Sequence, residues 1–280
     1  MPFIAIVGCG ALGGALAHTL AGRDRIGEVR LVDPAGAMAQ GKALDIQQSG
    51  PVEQFSTRLT HADAWAAVAG AEVVVIADDG ASSREHGGEA GLSVLREVVK
   101  SAGSSPLLFA GASQRELMAR AANELKVARK RLIGSAPLAL ESAVRALSGV
   151  LLDTSGVDVS LRIVGVPPQA AVVAWEEGTA SALPISSQLA AHQIAALNGK
   201  LRTLWPPGPY ALASAATRVV EGLLGRSRRR FSCFVALDRG PLRDAVVAMP
   251  IEVGLEGVRR VIEPKLTRQE QTLLENAIEM

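Results

Sequence analysis

The sequence is short of the residues that usually announce a function. Two cysteines in 280 residues, Cys9 and Cys233, lie far apart, too few for a disulfide framework or a cysteine-rich zinc centre, so no metal site is expected. Four histidines (His18, His61, His86 and His192) and one tyrosine leave few groups able to move protons near neutral pH. Charge is short of any bias: 29 basic residues face 28 acidic ones, a formal net charge of +1, which gives no overall pull toward nucleic acid or an anionic membrane. Apolar runs such as Ala71–Ala77 and Leu107–Ala112 fall well below the ~18 residues of a membrane span. The start of the chain, Met-Pro-Phe-Ile-Ala-Ile-Val, has neither a basic segment nor a small-residue cleavage site, and a cytoplasmic protein is expected.

What is present is a pattern of alternation. Phe3–Val7, Glu28–Val32, Val73–Ala77, Pro106–Ala110 and Lys130–Ile133 read as strands, with helices over Gly13–Ala21, Ala37–Gln47, Leu92–Ser101 and Gln114–Leu125. Short apolar runs separated by helical patterns predict an α/β fold, a doubly wound parallel sheet. The texture changes near Gly134. A helix over Leu138–Leu147 precedes two strands, Val157–Val164 and Ala170–Trp175. A proline-punctuated helical region follows, then an antiparallel pair, Phe231–Leu237 with Ala245–Val253, and a final helix over Thr267–Ile278. Two domains are expected, residues 1–134 and an α+β domain over 135–280. The one charge run, Arg226–Arg230, reads as a solvated helix end, where cations offset the dipole.

Gly8-Cys9-Gly10-Ala11-Leu12-Gly13 follows the first strand and opens the first helix, and Asp33 ends the next strand twenty residues after Gly13. In such a turn Gly8 permits the sharp bend, Gly10 lets backbone amides approach a pyrophosphate, and Gly13 lets the helix pack on the sheet. The helix N-terminus adds partial positive charge. Asp33 would bond a ribose 2′-hydroxyl and repel a 2′-phosphate, which favours NAD over NADP. The expected cofactor-binding residues are Gly8, Gly10, Ala11, Leu12, Gly13 and Asp33, with Cys9 a small filler in the turn. Asp78-Asp79 closes the fourth strand and brings two carboxylates near the expected pyrophosphate; pointing outward, they would be harmless.

Five stretches resemble the lactate/malate dehydrogenase family, more closely its malate branch: Ile4–Gly13; Leu31–Asp33 with Ala39–Ile46; Ala69–Ile76; Arg131–Gly134; and Val246–Ile278. The likeness runs nearly end to end. It implies a Rossmann domain, NAD, a 2-hydroxy or 2-oxo acid as substrate, and a homodimer or homotetramer through the helix that carries Ala39–Ile46. It also implies a catalytic histidine in a Gly-x-His-Gly-Asp stretch, where this chain reads Gly165-Val-Pro-Pro-Gln169 and has Pro167. Glu85 and Gly91 stand where the substrate loop would carry arginines. Gly111-Ala112 replaces an Asn-Pro, and Glu141 and Val144 match an Asp and an Arg, with Arg145 turned ~100° around the helix. Proline can neither accept nor donate a proton, and a carboxylate at Glu85 repels a dicarboxylate, so ordinary malate or lactate turnover is not expected.

Two functions compete. One is a repurposed NAD-dependent oxidoreductase with its own acid-base set, His86 as acid-base group with Glu141 a further candidate and Arg84 or Arg145 holding an anion; the plainer reading of His86 is a solvated residue in a flexible, glycine-flanked loop. The other is a non-catalytic regulatory or structural subunit. His18 and His61 read as surface or packing residues near helices, and His192 as a second-domain residue near the cleft.

Overall fold

The computed structural model describes residues 2–225, 227, 229–237 and 245–279. Its amino-terminal half runs β1 (Phe3–Val7), α1 (Ala11–Gly22), β2 (Glu28–Val32), α2 (Gly36–Glu53), β3 (Arg58–Ala62), β4 (Val73–Ile76), α3 (Gly88–Ser101), β5 (Leu107–Phe109), α4 (Arg115–Asn123) and β6 (Leu132–Gly134). These strands pair in parallel in the order β3-β2-β1-β4-β5-β6, the doubly wound arrangement in which strand order reverses between β1 and β4. Every residue of β1 and β4 is buried, because helices cover both faces of a parallel sheet and no strand can spare a polar side.

The second half adds α5 (Ala136–Leu151), β7 (Val159–Ser160), β8 (Ile163–Val166), β9 (Ala170–Val173), β10 (Thr179–Ala180), β11 (Leu183–Pro184), α6 (Ala191–Lys200), α7 (Pro209–Leu223), β12 (Phe231–Ala236), β13 (Val246–Gly254), β14 (Gly257–Val261) and α8 (Arg268–Glu279). The sheet does not stop at β6. Antiparallel β12 continues it, with Phe234 opposite Gly134 and Val235 opposite Ile133, and β13, β8 and β9 follow. A Cβ on Gly134 would lie 2.9 Å from the Phe234 Cβ, so this close joint requires glycine.

Several elements differ from expectation. The strand expected to end at Ile133 extends through Gly134. The strand expected over Val157–Val164 is two, β7 in a small sheet with β10 and β11, and β8 in the large one. Their division falls where Arg162 turns toward α5. Helix α2 runs on through Pro51 to Glu53. His61 lies in β3, a strand not expected because its Arg-Leu-Thr-His-Ala pattern carries the polar residues of a sheet edge. Arg226 and Arg228 of the charge run lie outside the described residues. No helix among the described residues is long and apolar enough to cross a membrane, and no group of His, Cys, Asp or Glu among them could hold a metal ion.

Candidate functional site at the strand switch point

Ligands of doubly wound sheets bind beyond the carboxyl ends of the strands, where the order reverses. Here that point lies between the glycine turn after β1 and residues 77–80 after β4. Gly8 has a φ of 101°, and a Cβ on it would stand 2.1 Å from the Asp78 carbonyl oxygen. Only glycine serves there. Gly13 is equally confined, its Cβ position 2.2 Å from the Gly8 carbonyl oxygen. Ala11 is the exposed member of the turn.

The free N–H groups of α1 already have a partner. Leu12 and Gly13 donate to Asp78 Oδ2 and Oδ1, each at 2.8 Å. Asp78, 2% exposed, therefore points inward and sits on the helix N-terminus as a bound anion would. Burial raises its carboxyl above the ordinary value, against the pull of the Gly13 and Leu12 amides and of Lys42. Lys42, on α2, donates to the Gly10 carbonyl at 2.6 Å. Asp79 points away, accepting from the Ser82 amide and hydroxyl at 2.7 and 2.8 Å.

Asp33 also faces inward. It is 1% exposed and accepts from the backbone N–H groups of Cys9 (3.0 Å), Gly80 (2.8 Å) and Ala35 (2.8 Å), tying the turn after β1 to the one after β4. Burial and the neighbouring Asp33 carboxylate push the Cys9 thiol up to about 12. Cys9 is accordingly an inert filler.

The segment after β4 folds back on itself. Asp79 N–H donates to the Arg84 carbonyl at 2.9 Å and His86 N–H to the Ala77 carbonyl at 3.2 Å, and Asp78 bridges to Glu85. The Glu85 carboxylate accepts from Ala112 N–H (2.8 Å), Ser113 N–H (2.7 Å) and the Ser113 hydroxyl (2.5 Å), pinning this segment to the turn after β5. A Cβ on Gly111 would come within 2.4 Å of the Glu85 carboxyl. Glycine at position 111 is what gives Glu85 its seat. Gln114 completes the joint, donating to the Ala77 carbonyl at 2.8 Å and accepting from Gly111 N–H at 2.9 Å.

The solvated reading of His86 is corrected: the residue is 7% exposed and meets Trp65 edge to face, with ring centroids 6.3 Å apart. Its Nε2 is buried without a hydrogen-bond partner among the described residues. Burial lowers its pKa, though Asp79, Asp33 and Asp78 pull the other way. Gly91 lies in α3 with its Cβ position 2.9 Å from the His86 backbone, leaving no room for an arginine.

Glu141 and Arg145 lie elsewhere, on α5. Glu141, 1% exposed, accepts from the Ser232 hydroxyl at 2.6 Å and pairs with Arg162 at 3.4 Å and Arg145 at 3.9 Å. Burial raises its carboxyl, and Arg162, Ser232 and Arg145 oppose that rise. Arg145 gives its guanidinium to the carbonyls of Val159 (2.6 Å) and Val157 (3.3 Å). Val144 packs in an apolar cluster with Leu140, Ile163 and Trp175, and Pro167 is buried after β8. Among the described residues, no hydrogen bond, ion pair or ring contact joins His86 to Glu141 or Arg145. Sequence reasoning missed Arg162, Ser232, Lys42 and Trp65; only Asp78, an acid directly behind a fully apolar strand, carried a visible signal.

Comparison with known proteins agrees with this geometry. Residues 3–96 match the family described as lactate/malate dehydrogenase, NAD binding domain. The malate dehydrogenase of Roseiflexus sp. (strain RS-1) is 26% identical over 297 residues, covering 99% of this chain and 96% of the relative. That of Thermomicrobium roseum is 28% identical over 288 residues, covering 97% and 93%. Among solved structures, the malate dehydrogenase of Salinibacter ruber superposes with a TM-score of 0.87 at 22% identity, covering 99% of this chain and 94% of that one. A lactate dehydrogenase of Cryptosporidium parvum, solved with lactic acid and nicotinamide adenine dinucleotide, gives 0.88 at 22% identity, covering 99% and 95%. The strand order, the glycine turn and relatives matched from end to end agree: residues 3–96 match the NAD-binding domain of lactate/malate dehydrogenases, and the whole chain is similar to malate dehydrogenases.

Proposed function

We propose that this chain is a non-catalytic member of its family, an NAD-binding protein that does not turn over malate or lactate. Its amino-terminal part is the family's NAD-binding domain, and NAD is its cofactor. When bound, NAD supplies hydride chemistry. The remaining needs of a 2-hydroxy-acid dehydrogenase are a base for the hydroxyl proton and cations for the substrate carboxylate. The observation that carries the reading is Glu85. At a position where the family resemblance implies a cation, its carboxylate is bonded to Ala112 and Ser113, so an anionic group and a fixed turn stand where an anionic substrate would be held. Pro167 offers no proton acceptor in place of the implied histidine. The alternative set of His86, Glu141 and Arg145 gains no support, since each is committed to separate packing.

The same reading takes the boundary near Gly134, with a dinucleotide-binding domain over residues 1–134 and a second domain over 135–280. It also takes a cytoplasmic homodimer or homotetramer formed through α2, whose Met38, Leu44 and Val52 are exposed. A small 2-oxo or 2-hydroxy acid remains the class of ligand to test. The purified chain, assayed at 340 nm with malate, lactate, oxaloacetate and pyruvate, is expected to show no rate above background. Turnover near the ordinary enzymatic level of roughly 10 s⁻¹ on any of them would sink the proposal.

A further inference from the structure

We infer that Asp78 is a tethered anion occupying the seat of the NAD pyrophosphate, and that nucleotide binds this chain only by displacing it; this rests on NAD being the cofactor. The helix N–H groups that would receive a pyrophosphate oxygen are those of the glycine turn, and Leu12 and Gly13 are both bonded to Asp78, one to each carboxylate oxygen. The space that Gly10 keeps clear of side chain is filled as well. A Cβ there would meet Asp78 Oδ2 at 2.4 Å and the Asp79 carbonyl oxygen at 2.8 Å. The cradle is therefore intact in shape and closed by the chain's own carboxylate.

Asp33 supports the same conclusion. The carboxylate expected to face a ribose is turned onto Cys9 and Gly80, and Gly80 lies so close that a Cβ on it would meet Cys9 Sγ at 2.5 Å and Asp33 Oδ2 at 2.8 Å. The segment bearing Asp78 thus lies across the turn. An anion held on the same chain competes at a high effective concentration, commonly of millimolar order or above. A pyrophosphate entering beside an unmoved Asp78 would add negative charge next to Asp78 and Asp33, with Lys42 already committed to the Gly10 carbonyl. Displacement requires the Asp78 carboxylate to leave the Leu12 and Gly13 amides.

The test compares the full chain with its Asp78→Gly and Asp78→Asn variants by isothermal titration with NAD and by thermal shift with inorganic pyrophosphate. Asp78→Gly is expected to bind NAD at least about a hundredfold more tightly than the parent. Inorganic pyrophosphate should raise its melting temperature and leave that of the parent unchanged, because only a site that binds the folded state stabilises it. Asp78→Asn keeps an acceptor for the helix amides and loses the charge; if Asp78→Gly does not fold, it carries the comparison, with an expected gain of about tenfold. Equal NAD affinity in the parent and a folded variant overturns the inference while leaving the cofactor in place. Absence of NAD binding in every folded form overturns the cofactor assignment, and the inference with it.

Discussion

Replacing Arg162 with methionine tests whether Glu141 serves the fold. The guanidinium lies 3.4 Å from the carboxylate, and at an effective dielectric of ~20 that separation corresponds to an attraction of about 5 kcal/mol. Arg145 remains at 3.9 Å, and the Arg162 side chain is one-fifth exposed, so solvent and the second cation recover part of the loss. A ceiling comes from protonation. At ~1.4 kcal/mol per pH unit between an unfolded glutamate near 4.3 and pH 7, the stranded carboxyl cannot cost more than about 4 kcal/mol before it takes a proton. Arg162→Met is therefore expected to destabilise the protein by ~2–3 kcal/mol at pH 7, read from urea unfolding. Removing Arg162 takes away the strongest group opposing the rise of the Glu141 pKa. A carboxyl whose folded value lies above its unfolded one stabilises below the unfolded value and loses that contribution as pH rises to the folded value. The deficit should accordingly be small near pH 4–5 and largest at pH 7 and above. The double variant Glu141→Met, Arg162→Met should return to within about 1 kcal/mol of the parent, since both charges are gone. A cost in the single variant below about 0.5 kcal/mol at every pH would refute the buried pair.

Two other groups give direct readouts. Burial alone would raise the Glu28 carboxyl, but hydrogen bonds from Arg58, Thr60 and Arg30 outweigh it and hold the group at about 2; its ~2–3 kcal/mol of stability is present above pH 4.5 and lost as pH falls toward 2. Glu28→Gln should flatten the acid limb of a circular-dichroism titration over that window, and an unaltered limb would count against the assignment. Cys9, with its thiol pushed up to about 12, should resist iodoacetamide at pH 8 until the chain unfolds, and rapid labelling of the folded protein by mass spectrometry would show the turn to be open.

How much of this was legible in the sequence follows from the range of the interactions. Strands β1, β4 and β5 were visible because burial on both faces writes itself as an unbroken apolar run. The glycine turn was visible because its three glycines answer to local backbone contacts. Strand β3 was not, since an edge strand is half polar. The partners of Glu141 lie 21 and 91 residues along the chain, a distance at which no pattern of spacing operates. Glu85 was legible as a departure but not as a contact. Its meaning depends on Gly111, 26 positions on, having vacated the space it uses. Asp78 could be named in advance, but its direction could not, because that is decided by two amides more than sixty residues earlier.

The ladder between β6 and β12 has a mechanical consequence. Ile133 and Gly134 are registered against Val235 and Phe234, so the two halves share one continuous hydrogen-bonded surface, and the larger apolar core draws residues from both, from Phe3 to Leu274, beside a smaller cluster around Val144 and Trp175. Rigid rotation of one half against the other would shear that ladder where a glycine leaves almost no clearance. The shared sheet and the core it carries are therefore expected to melt together, in one calorimetric transition.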